Sequence, residues 1–332
     1  MGLFCDFYRL GQEEGRFIAL QIIFDLILLF GLEYFESESD NEGEEKGLKV
    51  MNIITTALYD PEERIQIISS EGFSKLFLHR IIDYKQVLEG LFHLYLHPAT
   101  LASSPIKQCL SYFFQAYAFI SPENQLSIGS LVGKILGSWI RISRGRQSAL
   151  QGNNSISLNS VANQLMYLID RGNLIQSAPR SSLETYNEMF AQIAVDLSWV
   201  ILNDPLDESS KILSSIICKL PLKSLSSPEA PQLLKQLLFL QTQIMKYIPD
   251  KSTINTLKRF TANLLQLDTQ EEPLDFEVIN EMRAQMLKIL PSGIKANIAT
   301  TSNPASKKTK VITNENISGN IMDDISDLLE DE

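Results

Sequence analysis

Apolar residues three and four positions apart run through almost all of this chain. Phe17, Leu20, Ile23, Phe24, Ile27 and Leu28 are one example. That spacing places apolar side chains on one face of an α-helix. The rhythm returns in about twelve segments, near 16–34, 47–58, 61–80, 84–97, 104–120, 121–141, 158–171, 182–203, 207–220, 227–248, 251–268 and 274–290. No run of alternating Val, Ile and Thr suggests a strand, and no strand–turn–strand spacing recurs. A chain patterned this way is all-α. With 44% hydrophobic and 21% charged residues over 332 positions, it holds enough apolar material for a substantial core and is unlike a disordered or collagenous chain.

Helix starts carry their own signals. Asp60-Pro61-Glu62-Glu63 sets an acidic cap, an N1 proline and first-turn acids in order. Ser121-Pro122-Glu123 and Ser227-Pro228-Glu229 repeat the arrangement, and Ser104 also precedes a proline. At these three serines a helix start is preferred over a phosphorylated Ser-Pro site. Two architectures fit helices on short loops, a compact bundle and an α-solenoid of stacked helix pairs. The segments average about 46 residues per pair, which suits the solenoid. Segment 16–34 is apolar and is preceded only by a partial helix at 3–10, so a solenoid starting there lacks a polar cap. The chain therefore reads as a fragment, or as one that needs an N-terminal partner. The solenoid is expected over 1–290, broken by an acidic loop at 35–46 and a polar loop at 143–157. Residues 291–332 are expected to be a disordered tail. The tail's last twelve residues alternate acids with Ile325, Leu328 and Leu329. They read as a solubilising acidic end, with a short amphipathic helix on a partner as the alternative.

Charge is uneven. The formal net charge is -11, which at face value disfavours a general polyanion binder. Residues 35–46 hold six acids and one lysine, and residues 321–332 hold six acids and no base. Those two segments account for the whole imbalance, and the rest of the chain is neutral.

Signals for catalysis or metal binding are missing. Cys5, Cys109 and Cys218 are widely spaced, so they make neither a disulfide framework nor a metal cluster, and a reducing intracellular compartment is expected. Cys5 and Cys109 read as small core hydrophobes rather than nucleophiles. No signal peptide is visible, and the most apolar stretch, Phe17 to Leu32, is short for a membrane span. Gly133-Lys134 is followed by Ile135 and position 128 is Ile, so no phosphate-binding P-loop is formed. Gly129, Gly133 and Gly137 instead sit four apart and suggest close packing along one helix face. His93 and His97 lie at i, i+4, but Leu94 stands where a zinc-protease motif needs Glu, so a structural role is favoured. No enzyme activity, cofactor, metal or small-molecule substrate is expected.

Two stretches do suggest binding. Residues 134–180 carry Lys134, Arg141, Arg144, Arg146, Arg171 and Arg180 against one acid, Asp170. Lys134, Arg141, Arg144 and Arg146 are the candidate contacts to a phosphate backbone. Cations at a helix C-terminus also suit its dipole, so a structural reading stands beside this one. Lys307, Lys308 and Lys310 add a small basic group in the tail. The run Tyr112-Phe113-Phe114-Gln115-Ala116-Tyr117 places aromatics on more than one helix face. Tyr112, Phe113 and Tyr117 are candidate anchors for a partner segment, unless the next helix covers them.

Gly2-Leu3-Phe4-Cys5 followed by Ile23-Phe24-Asp25-Leu26-Ile27-Leu28-Leu29-Phe30-Gly31 resembles the C-terminal region of the condensin G subunits. So does the helix Cys109–Phe119 with its exit Ile120-Ser121-Pro122-Glu123-Asn124-Gln125. The resemblance covers roughly residues 1–290 and rests on packing motifs in order. It implies an α-solenoid of HEAT-like helix pairs that is not itself an enzyme. It further implies binding to the kleisin subunit of condensin, a link through it to the SMC ATPase subunits, and a basic groove for double-stranded DNA. Chromosome condensation in mitosis and meiosis, in the nucleus with a cytoplasmic phase of the cell cycle, is the implied setting. The alternative from the residues alone is an armadillo- or importin-like adaptor that binds only proteins.

Overall fold

The computed structural model describes residues 2–32, 42–97, 100, 104–147, 156–176, 182–222, 230–267 and 276–291. No helix among them is long and apolar enough to cross a membrane. Every regular element among them is helical, with no strand. The fold is a series of stacked, HEAT-like helix pairs, as the periodicity predicts. The helices pack as two compact units, Met1–Leu131 with Leu150–Ala178, and Val132–Ala149 with Pro179–Glu332.

The first unit contains α1 (Gly2–Leu10), α2 (Glu13–Phe30), α3 (Glu42–Ala57), α4 (Glu63–Leu78), α5 (Lys85–Leu96), α6 (Pro105–Ile120), α7 (Pro122–Gly129) and α9 (Leu158–Leu168). Here α1 packs on α2, α2 on α4 and α4 on α6, while α5 and α9 flank α6. Leu20, Ile23, Ile27, Phe73, Phe77 and Phe114 are fully buried in this core. These are the residues the three- and four-residue spacing places on inner faces.

The second unit contains α8 (Val132–Gln147), α10 (Ser182–Asn203), α11 (Glu208–Ile217), α12 (Ala230–Tyr247), α13 (Lys251–Leu267) and α14 (Phe276–Ile289). The long helix α10 contacts α8, α11, α12 and α14, and α13 rests on α11 and α12. A buried polar link joins its centre, where Gln241 Nε2 donates to Ser198 Oγ at 2.8 Å.

Several boundaries differ from the sequence reading. The partial helix at 3–10 is a full one, α1. Segment 121–141 is two helices, α7 and α8. Ser130 closes α7, with its N–H donating to Leu126 O at 3.0 Å, and Leu131 N–H then bonds back to Ile128 O at 2.9 Å. Leu131 and Val132 are both buried at this bend, so the apolar rhythm runs through it and hides it. Within the polar stretch 143–157, α8 continues to Gln147, and Ser157 caps α9 by accepting from Ser160 N at 3.1 Å. Part of the acidic stretch 35–46 is also helical, since α3 begins at Glu42. The tail from 292 and the Ser227-Pro228-Glu229 start lie outside the described residues.

Ser104 and Ser121 are buried N-caps. Each accepts a backbone N–H, from Ile106 and Asn124 respectively, at 3.3 Å. A buried cap is a poor site for a kinase, which agrees with the helix-start reading. Asp60 works differently from the simple cap expected of it. One oxygen accepts Glu62 N–H at 3.0 Å, and the other takes the guanidinium of Arg16 and the hydroxyl of Tyr8.

Candidate functional site

Helix α6 carries the aromatic run, and its neighbours decide which rings are available. Phe113 and Tyr117 lie against Phe77 of α4, with ring centroids 5.9 and 5.6 Å away. Phe114 stacks on Phe92 of α5 at 3.8 Å and meets Tyr95 edge-on at 5.4 Å. Helix α6 is therefore wedged between α4 and α5, and both aromatic faces are used. Of the two readings the sequence leaves open for Phe113 and Tyr117, the packing matches cover by a neighbouring helix. They are buried core residues, because α4 covers their face of α6 while α5 covers the face of Phe114. Tyr112 points the other way and is 81% exposed. It is the one candidate anchor that a partner can reach.

The exit from α6 is tied down by Asn124 and Gln125. Asn124 Nδ2 donates to Tyr117 O at 2.7 Å. The Gln125 amide donates to Leu168 O at 3.0 Å and Asp170 O at 2.9 Å, where α9 ends. Leu168 O closes a buried helix end, where carbonyls lack a helical partner, and Asp170 O also accepts the Asn173 N–H at 3.0 Å. The Asn-Gln pair thus stitches α7 to α9, which is a packing role rather than a chemical one.

Helix α8 carries the candidate phosphate contacts. Lys134 and Arg141 are exposed and lie seven residues, or two turns, apart on one side of the helix. The Arg141 guanidinium donates to Ser138 Oγ at 2.9 Å. Arg144 is committed elsewhere. Its two terminal nitrogens reach Asp204 at 3.0 Å and Asp207 at 2.8 Å, in the turn between α10 and α11. Asp207 is held below the ordinary carboxylate range, despite the opposing effect of burial, by its bonds to Ser209 and by Arg144. The charge that looked unopposed in sequence thus meets acids some sixty residues on. The side chain of Arg146, and Arg180 altogether, lie outside the described residues.

Helix α8 also explains two of the glycines. A Cβ on Gly133 would stand 2.5 Å from the Asp196 Cβ, and one on Gly137 would stand 3.3 Å from a Val200 methyl. These glycines let α8 approach α10 closely. Gly129 belongs to α7, so the three do not share one helix face. Burial at the same contact raises the Asp196 carboxyl, with Gln192 and Lys134 acting against that rise.

The remaining candidates look inert. Burial raises all three thiols, Cys218 to about 11, which leaves little reactive thiolate at neutral pH. His93 Nε2 lies 4.0 Å from Glu89 on its own helix. No group of metal-binding side chains occurs among the described residues.

Residues 1–222 match the family described as "Cnd3: Nuclear condensing complex subunits, C-term domain". The chain belongs to this family. It is 22% identical over 266 residues to condensin complex subunit 3 of Homo sapiens, a match that covers 74% of this chain and 25% of the human protein. The Schizosaccharomyces pombe subunit 3 is 23% identical over 289 residues, covering 85% and 31% respectively. The Saccharomyces cerevisiae protein is 23% identical over 265 residues, covering 77% and 24%. The chain thus spans a quarter to a third of the length of these curated relatives. Its fold is similar to that in the crystal structure of the S. pombe condensin Cnd3-Cnd2 subcomplex. The TM-score is 0.63 at 22% identity, over 80% of this chain and 33% of that one.

Proposed function

We propose that this condensin-family chain is a non-catalytic scaffold that binds the kleisin subunit and helps hold double-stranded DNA during mitotic chromosome condensation. Through the kleisin it joins the SMC ATPases, and it works in the nucleus on chromosomes. The observation that carries this reading is the family match across residues 1–222. The similar S. pombe structure is itself a complex of two condensin subunits, which supports a bound partner. A stack of helix pairs also presents a long surface suited to an extended segment.

Tyr112 is the proposed partner anchor, with Phe113 and Tyr117 fixing its helix from beneath. Lys134 and Arg141 are the proposed phosphate contacts on α8. Arg144 joins them only by leaving Asp204 and Asp207, and Arg146 completes the set. The cellular test is depletion of the protein from dividing cells. Mitotic chromosomes should then stay under-compacted. Normal compaction together with a defect in protein transport would instead favour an adaptor of the importin kind.

A further inference from the structure

The helix pair α12 and α13 is poor in acid. From Ala230 to Leu267 it carries Lys235, Lys246, Lys251, Lys258 and Arg259 against a single acid, Asp250, in a chain with 40 acids among 332 residues. Asp250 is already engaged. One oxygen accepts Thr253 N–H at 2.9 Å and Thr253 Oγ1–H at 2.6 Å, and the other lies 3.4 Å from Lys211 of α11. The chain closes on the opposite composition, since residues 321–332 hold six acids and no base.

Helix α11 runs beside α13 in the same direction. Lys211 reaches Asp250 at the start of α13, and just past the end of α11 the Cys218 thiol donates to Thr256 O at 3.7 Å. Lys219, Lys251 and Arg259 are exposed, and Lys258 is half-buried. Among the described residues, none of these four lies within 4.0 Å of a carboxylate. Ile254, Lys258 and Leu265 follow one another at four- and seven-residue steps, so they share one flank of α13, and all three are half-buried. This flank sets apolar carbon beside unpaired positive charge.

We propose that residues 321–332 dock on this flank of α13 as a short amphipathic helix, so that the chain straps its own acidic end over its basic surface. Ile321, Ile325, Leu328 and Leu329 fall at i, i+4, i+7 and i+8, the spacing of one helical stripe. That stripe is about 12 Å long, and Ile254 to Leu265 covers about 16 Å of α13. Asp324, Asp327 and Asp331, at i, i+3 and i+7, border the stripe along one edge. Asp324 and Asp331 are two turns apart, as are Lys251 and Lys258, so both carboxylates meet an ammonium group when the apolar stripes are in contact.

The tether selects this occupant. Helix α14, which leads into the tail, belongs to the same unit as α11 and α13. Residues 291–320 separate it from the acidic segment, and a chain of that length spans up to about 100 Å. Exposed ion pairs contribute little one by one. Among the described residues, no large apolar side chain of α11 or α13 is fully exposed, so a free protein finds no anchor there. A segment of the same chain needs none, because tethering gives it an effective concentration on the order of millimolar. The strap is independent of the role proposed above.

The test is carbodiimide cross-linking of the full chain, which joins a carboxylate directly to a lysine amine that it touches, with mass spectrometry of the monomer. Adducts of Asp324, Asp327 or Asp331 with Lys251 or Lys258 should dominate the products of the tail. High salt should suppress them, because it screens exposed pairs. Arg259→Gln removes a cation but no cross-linkable amine, and should lower their yield by about threefold. Ile325→Ser/Leu328→Ser/Leu329→Ser keeps every acid and leaves the helical body untouched, and should remove most of the adduct. Tail acids that join lysines of α8, or no lysine at all, overturn the proposal. Adducts that neither salt nor these variants reduce overturn it as well, since they mark chance encounters. Adducts found only between isotopically distinct chains in a mixed sample assign the tail to a second copy, which also overturns it.

Discussion

Removing Asp60 and removing Glu14 should have very different consequences, although each carboxylate faces an arginine of the first unit. Asp60 is only 8% exposed and serves Arg16, Tyr8 and the Glu62 N–H together. Asp60→Ala leaves the buried Tyr8 hydroxyl without its partner and the Arg16 guanidinium with Glu62 alone, at 3.3 Å, a loss of about 2 kcal/mol. Glu14 meets Arg64 at 2.8 Å, but on the surface. Glu14→Ala should therefore cost far less than Asp60→Ala. Urea unfolding of the two variants checks the contrast, and equal losses would refute it. Only part of this centre was legible in the sequence. Asp60 before Pro61 announces a helix start. Its partners Arg16 and Tyr8 lie 44 and 52 residues away, and no spacing rule connects them. Arg144 teaches the same lesson, since its acids come from the turn after α10.

At the scale of elements, glycine positions give the sharpest expectations. Gly72 of α4 faces the ring of Phe24 on α2 so closely that a Cβ would overlap it, whereas Gly15 of α2 has nothing within 4 Å of an added Cβ. Gly72→Ala should destabilise by about 1 to 3 kcal/mol through overpacking. Gly15→Ala should stabilise by about 0.5 kcal/mol, because alanine loses less entropy in a helix. Gly133→Ala should follow Gly72, since Asp196 stands in its way. Thermal melts of the three variants check the ordering, and a stabilised Gly72→Ala would contradict the close approach of α2 and α4. Helix positions were largely readable from apolar spacing because each helix buries one stripe. The break between α7 and α8 was not, because Leu131 and Val132 stay buried through it. The aromatic run of α6 was read correctly as two-faced. Whether a partner or a neighbouring helix covers each face depends on packing, which the sequence does not display.

For the molecule as a whole, the location of charge matters more than its sum. The net charge of -11 arises in 35–46 and 321–332. The rest of the chain is neutral in sum and contains locally basic stretches. The basic stretch at 134–180 was visible in the sequence, yet folding gives Arg144 to two aspartates. The acid-poor pair α12–α13 carried a comparable signal, spread over two helices whose cations are widely spaced. Family membership was legible in the order of packing motifs, since those motifs hold α2, α6 and the α7–α9 stitch in place. The central claim is that this chain is a kleisin-binding condensin scaffold, and the most direct measurement is the mass of the complex formed on co-expression with the kleisin of the same organism. Size-exclusion chromatography with light scattering should give one peak whose mass is that of one chain plus one kleisin. Two separate peaks at micromolar concentration, each with the mass of a single component, would contradict it.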